Sequence, residues 1–289
     1  MKAVVRWVFA KPYRSLLLAI GFAPLLPVAA AILAAETAGR GVARGLVQAG
    51  IGVLGMAVLG FVSGGEPTVF ASLGAICFGI GVALGALLRW AGALGLAFQA
   101  TVALCFVGVG VVSLLGATGA WLGPLVDQII EALRALGATE QQLEFVRSGG
   151  AMVLIWAAIF PQVVIALLLA YWCLAVMSGE PRFGKEFRRL ELGRLLGVTA
   201  SVIVTLSLVT EAALVQNLSS LALFSFLFQG LAVMHAWAHA RRWHPAYIAP
   251  VYVLLATPTP LIVAAVLGLS AVGLIDNWFN LRAPLQAQP

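Results

Sequence analysis

A chain of 289 residues that is 62% hydrophobic and only 10% charged has too few polar side chains to cover a water-soluble surface; an average soluble domain carries about 25% charged residues. With a mean hydropathy of +1.04, the composition excludes an ordinary globular domain and points to lipid as the solvent of the outer surface. The net charge of +6 does not indicate nucleic acid, because Lys and Arg sit at the ends of apolar runs, where topology signals and headgroup contacts belong.

At the N-terminus, Lys2, Arg6, Lys11 and Arg14 precede the apolar stretch 15–35. That stretch is about twice as long as a signal-peptide core, so it reads as an uncleaved membrane segment, with 1–10 as a short surface helix. A bilayer core of about 30 Å takes about 20 helical residues. On that measure the remaining segments are 45–63, 68–88, 91–118, 150–177, 193–211, 218–240 and 247–275. Ser63-Gly64-Gly65-Glu66-Pro67 is a turn between the second and third segments. The third carries small residues at Ala71, Ala75, Gly79 and Ala83, one face at a spacing of four, with Gly81 and Gly85 beside it; such faces let helices approach closely.

The stretch 119–148 does not span. Leu122, Leu125, Val126, Ile129, Ile130, Leu133 and Leu136 fall on one helical face, opposite Asp127, Gln128, Glu131 and Arg134. Pro124 suits a first turn, and Thr139-Glu140-Gln141-Gln142 reads as a capping box. No Gly or Pro separates segments 193–211 and 218–240, yet 195–240 as one helix would be too long to cross once, so the turn is placed at the polar cluster Glu211, Gln216, Asn217, Ser219 and Ser220. The last segment contains Thr257-Pro258-Thr259-Pro260 and is either one long broken helix or a tight hairpin.

The expected fold is therefore all-α: a polytopic transmembrane helical bundle of about 7–9 membrane segments, one membrane domain over 1–289, with an amphipathic insertion at 119–148 and a basic cytoplasmic loop at 178–194. If the first segment does not cross, fourteen basic residues share the side of that loop and three, including Arg282, lie opposite. The positive-inside rule prefers that split. Pro24 and Pro27 allow a broken or re-entrant path where protein buries it.

Polar side chains inside apolar runs are the candidate site. Gln48, Gln99, Gln162 and Gln229 lie well within segments; amides there either bind one another between helices or line a cavity for an uncharged polar solute. His235 and His239 are spaced i, i+4, but without a carboxylate partner they read, with His244, as interfacial rather than metal-binding. Cys77, Cys105 and Cys173 lie inside apolar runs and read as buried small hydrophobes. Nucleotide-binding loops, nucleophile elbows and paired carboxylates are not found, so no cofactor and no catalytic residue is assigned.

Two stretches carry a resemblance. One is Phe183, Gly184, Glu186, Phe187, Leu190 and Leu192 in the basic loop. The other is Phe228–His235, followed by Gly273-Leu-Ile-Asp-Asn-Trp-Phe-Asn-Leu-Arg282. They resemble the YybS-like family of bacterial integral membrane proteins of unknown function, which is itself distantly similar to the substrate-binding components of energy-coupling-factor transporters. The family has a second Asp where Asn280 stands. The resemblance implies a multi-pass protein of the bacterial inner membrane, with amides lining a pocket and small-residue faces docking a partner protein. On that reading the ligand-binding candidates are Gln99, Gln162, Gln229 and His235. The partner-facing candidates are Arg182, Lys185, Glu186, Arg188 and Arg189. The expected function is a solute-binding or transport component without its own ATPase, and the alternative is a membrane scaffold or assembly factor acting through the 178–194 loop and the 119–148 helices.

Overall fold

Apolar runs in lipid satisfy their backbone groups by coiling, and the described chain is all-helical accordingly. The computed structural model describes residues 2–114, 123–257 and 261–283, and among these it holds fourteen α-helices and no strand. Six are long and apolar enough to cross a bilayer: α4 (Val42–Val62), α5 (Pro67–Ala91), α6 (Leu94–Leu114), α9 (Ala151–Ser178), α12 (Ala213–Ala240) and α14 (Leu261–Phe279). The fold is a helical bundle of membrane character. The remaining segments are shorter, and two of them depart from plain crossings.

The chain divides into two compact units, Met1–Thr101 with Pro161–Leu190, and Val102–Phe160 with Glu191–Pro289. The first holds α1 (Lys2–Phe9), α2 (Pro12–Gly21), α3 (Leu26–Arg40), α4, α5, the start of α6, the second half of α9 and α10 (Phe183–Arg188).

The expected first segment, 15–35, is two helices. The chain turns at 22–25, next to Pro24 and Pro27, and α3 packs back on α2 as an antiparallel pair. Ser15 Oγ donates to Glu36 Oε1 at 2.7 Å, and Arg40 Nη2 donates to the Phe9 carbonyl at 2.5 Å. Both ends of the hairpin therefore lie at one end of the unit. α3 then forms the centre: Ala29, Ala30, Ala31, Leu33, Ala34, Ala35, Glu36 and Thr37 are all buried.

Its neighbours are set by glycines. A Cβ on Gly81 would lie 2.8 Å from the Ala30 carbonyl oxygen, and one on Gly85 would lie 2.5 Å from that of Ala34. Arg89 donates to the Ala38 carbonyl at 3.1 Å. The contacts advance together along both chains, so α3 and α5 run parallel. α4 runs against both: Gly52 faces Phe78, Gly60 faces Phe70 and Met56 faces Gly74. The buried face of α5 is thus Gly74, Cys77, Phe78, Gly81 and Gly85. Ala75, Gly79 and Ala83, the stripe singled out by spacing, are exposed within the unit.

This geometry predicts a labelling pattern. In a background freed of Cys77, Cys105 and Cys173, the variants Ala3→Cys and Lys185→Cys will react with an impermeant maleimide from the same side of a sealed vesicle, and Ser63→Cys from the other. Reaction of Ala3→Cys and Ser63→Cys from one side would overturn the hairpin.

The second unit holds α7 (Gly123–Ala135), α8 (Glu140–Phe145), the first half of α9, α11 (Gly193–Ser207), α12, α13 (Ala249–Ala256) and α14. The amphipathic face of α7 packs Val126, Ile129 and Leu133 around the buried cluster Ile130, Leu143, Val146 and Ala151. The capping box is present: Gln142 N–H donates to Thr139 Oγ1 at 3.4 Å, and Thr139 N–H donates to Gln142 Oε1 at 2.8 Å. Residues 119–122 of the expected insertion lie outside the described residues.

The turn between α11 and α12 falls at 208–212, earlier than expected. Gln216, Asn217, Ser219 and Ser220 lie inside α12. Ser219 and Ser220 return their hydroxyls to the carbonyls of Gln216 and Asn217, at 2.9 and 2.7 Å, so a cluster that looks like a loop is tolerated in a helix.

α12 and α14 are the tightest pair of this unit. A Cβ on Gly230 would overlap the Leu269 carbonyl, and one on Gly273 would overlap the Phe226 carbonyl. Ser270 Oγ donates to the Leu223 carbonyl at 2.7 Å. The pairs Leu223–Ser270, Phe226–Gly273 and Gln229–Asp276 advance together along the two helices, so α12 and α14 run parallel. The chain between Ala240 and Leu261 must therefore run back along the pair, and α13 is part of that return. His235 Nε2 meets the Tyr252 hydroxyl at 2.7 Å on the way. The Thr-Pro-Thr-Pro alternatives cannot be read at the prolines themselves, because 258–260 lie outside the described residues. The return nonetheless corrects one expectation: Arg282 lies beside Glu191 at the end of the basic loop, not opposite it. The reason is that 247–275 is not one crossing.

Candidate functional site

A buried polar cluster lies in the second unit where α14 ends. Asp276 is 3% exposed and Arg282 is 6% exposed. Arg282 grips the carboxylate with two donors, Nε to Oδ1 at 3.2 Å and Nη2 to Oδ2 at 2.7 Å. A fork of this kind is the strong form of the ion pair. Sequence explains the approach: Asn280 takes a φ of +46° and its N–H donates to the Asp276 carbonyl at 2.8 Å. Asn tolerates this left-handed conformation, and the chain folds back so that Arg282 covers Asp276.

Gln229, fully buried on α12, completes the cluster. Its Nε2 donates to Asp276 Oδ2 at 2.8 Å and its Oε1 accepts from the Leu192 N–H at 3.1 Å. Leu192 precedes α11, so this amide ties α12, α14 and the start of α11 together. Glu191 Oε2 stands 3.9 Å from Arg282 Nη2. Nearby, the Trp278 indole donates to Ser201 Oγ at 3.2 Å, and Asn277 packs on Gly197.

The first unit has a counterpart. Glu36 is 3% exposed, accepts from Ser15 and lies 3.1 Å from Arg40 Nε, one helical turn on. In both clusters the acid faces an arginine, which keeps its proton in any protein setting. The arrangement joins helix ends through charge-assisted hydrogen bonds and ion pairs.

Of the four ligand-binding candidates, Gln229 enters one of these clusters, where protein groups meet its amide. Gln99 and Gln162 lie half-buried in the first unit and are partnered there or elsewhere in the chain. His235 joins α12 to α13 through Tyr252. His244 Nδ1 accepts from the Ala246 N–H at 3.3 Å. Among the described residues no three His, Cys, Asp or Glu side chains converge on one point.

The partner-facing candidates are more ordered than a basic loop suggests. α10 is pinned by buried Phe187, which stacks on Phe183 with ring centroids 5.9 Å apart. That leaves Arg182, Lys185 and Arg189 exposed and Glu186 and Arg188 half-buried.

Sequence reasoning missed Asp276, Arg282, Glu36 and Ser15 as a site. Glu36 sits one residue beyond the expected end of the first segment, where a charge looks interfacial. The usable signals were the Glu36–Arg40 spacing of one turn and the Asp276–Arg282 spacing across a turn-forming Asn.

Comparison with known proteins adds nothing further: no family profile, no curated protein and no solved structure matches the chain, so the likeness to YybS-like proteins gains no support from them.

Proposed function

We propose that the chain is a solute-binding or transport component of a bacterial inner membrane that lacks its own ATPase. One observation carries this reading. Each unit contains a short helix joined across a proline-containing segment to a longer helix that bears a buried acid–arginine pair. In the first unit these are α2, Pro24 with Pro27, and α3 with Glu36 and Arg40. In the second they are α13, the sequence Pro258-Thr-Pro260, and α14 with Asp276 and Arg282. Short, proline-flanked helices that end within a membrane bundle are common along transport pathways, because helix ends and unpaired backbone can face a solute. The likeness to YybS-like proteins, and through them to energy-coupling-factor binding components, leads to the same proposal by analogy.

A scaffold is the second reading. It is favoured by the exposed Arg182, Lys185 and Arg189 on the pinned helix α10, a rigid basic surface that suits an acidic partner.

Native mass spectrometry of gently purified protein separates the two. The transport reading expects a retained small molecule that is lost when Pro24 and Pro27 are both replaced by Ala. A copurified protein released by Arg182→Glu/Lys185→Glu, with no retained small molecule, would replace it with the scaffold.

A further inference from the structure

We propose that the first unit binds the phosphate headgroup of an anionic phospholipid in a cavity between α3, α5 and α9. The cavity measures about 370 Å³, and two guanidinium groups, Arg89 and Arg182, stand on its wall with no carboxylate among the lining side chains. Arg89 uses one donor on the Ala38 carbonyl, which holds the side chain at the rim and leaves its other donors free to turn inward. Arg182 lies over the Tyr171 ring, 5.4 Å from its centroid, and has an exposed competitor in Glu180 at 3.4 Å.

Tyr171 lines the same cavity, and its ring lies under the Arg182 guanidinium, which sets that side chain against the cavity wall.

The remaining wall decides between a lipid and a soluble phosphate compound. Leu88, Leu174 and Met177 line the same cavity, and they belong to α5 and α9, two helices of membrane-spanning length and hydropathy. A headgroup seated on Arg89 and Arg182 would lay its acyl chains along that apolar wall. Basic pockets between membrane helices recognise anionic lipids in this way. The end of the unit is also the right one. Arg40 meets Phe9 there, and Lys2 and Arg6 line a neighbouring cavity with Trp172. The inference does not rest on the transport reading.

The test uses the full chain in detergent, with dioleoyl phosphatidylglycerol and dioleoyl phosphatidylcholine added in equal amounts before native mass spectrometry. The wild type is expected to retain phosphatidylglycerol preferentially. Arg89→Ala/Arg182→Ala should weaken that retention about thirtyfold, at roughly one surface-charge contribution per arginine, and leave phosphatidylcholine unchanged. Tyr171→Leu, which removes the ring beneath Arg182, should weaken it a few-fold, and Arg134→Ala/Arg147→Ala not at all. Unchanged thermal unfolding of the double variant separates lost binding from lost folding, since both arginines are exposed. Equal retention by wild type and double variant would overturn the site. Displacement of the lipid by millimolar inorganic phosphate would overturn the lipid assignment in favour of a soluble phosphate compound.

Discussion

Asp276→Ala will unfold well below the wild type in detergent. The substitution strips the fork from Arg282, which is 6% exposed, and takes the acceptor from Gln229, which is fully buried. Breaking a buried pair from one side leaves an uncompensated charge and costs about 3–5 kcal/mol. On the scaling of soluble proteins that is a fall on the order of 5–15 °C in Tm. Asp276→Asn should cost less, because the amide keeps an acceptor for Gln229 while losing the charge. Removing both partners, as in Asp276→Leu/Arg282→Met, should recover much of the loss, because no isolated charge remains buried. The loss should also be larger in Asp276→Ala than in Glu191→Ala, since Glu191 is 61% exposed at its side chain. A variant at Asp276 that melts with the wild type would show that the cluster does not hold α14 in place.

Gly273→Val will be at least as damaging, for a steric reason. The added Cβ would overlap the Phe226 carbonyl oxygen and crowd the Gly230 backbone nitrogen, 2.8 Å away. Those atoms belong to the backbone of α12 and cannot rotate aside, so the two helices must separate. Overpacking of a tight core costs about 1–3 kcal/mol where side chains can yield; here the yielding element is a whole helix, and the expected loss is about 3 kcal/mol or more. Gly230→Val should behave alike, and the pair should be less than additive because both disrupt one contact. Gly79→Ala is the contrasting case. A Cβ at Gly79 meets nothing within 4 Å, and the change should be neutral or stabilise by up to about 1 kcal/mol through helix propensity. Thermal unfolding of the three variants side by side decides the matter. Equal melting of Gly273→Val and Gly79→Ala would disprove the close pairing.

That contrast also shows where sequence reading works and where it stops. α4, α5 and α9 lie within three residues of their expected bounds, because an apolar run closed by Gly, Pro or a charged pair is a signal local to the segment. The capping box at Thr139 is equally local, and it is present. Which glycine faces which carbonyl is not local. Spacing alone marked Ala71, Ala75, Gly79 and Ala83, whereas Gly74, Gly81 and Gly85 carry the contact, since the partner helix decides which of two adjacent small-residue faces is used. Gln229 was visible as an amide in an apolar run, but its partner Asp276 lies 47 residues away and looked like a helix-end charge. The first segment was legible as irregular only through charge counting, and the hairpin of α2 and α3 follows the path that counting preferred.

The position of α3 sets the order in which the protein can be built. The helix is buried from Ala29 to Thr37, and its parallel partner, α5, touches it through residues that lie 51 positions later in the chain, as in the Cys77 thiol directed at the Leu26 carbonyl. At a synthesis rate of 5–20 residues per second, α3 leaves the ribosome roughly 3–10 s before that surface exists. During this interval the buried face of α3, with Glu36 at its end, lacks the α5 surface that covers it, so its final packing is completed only after α5 has been made.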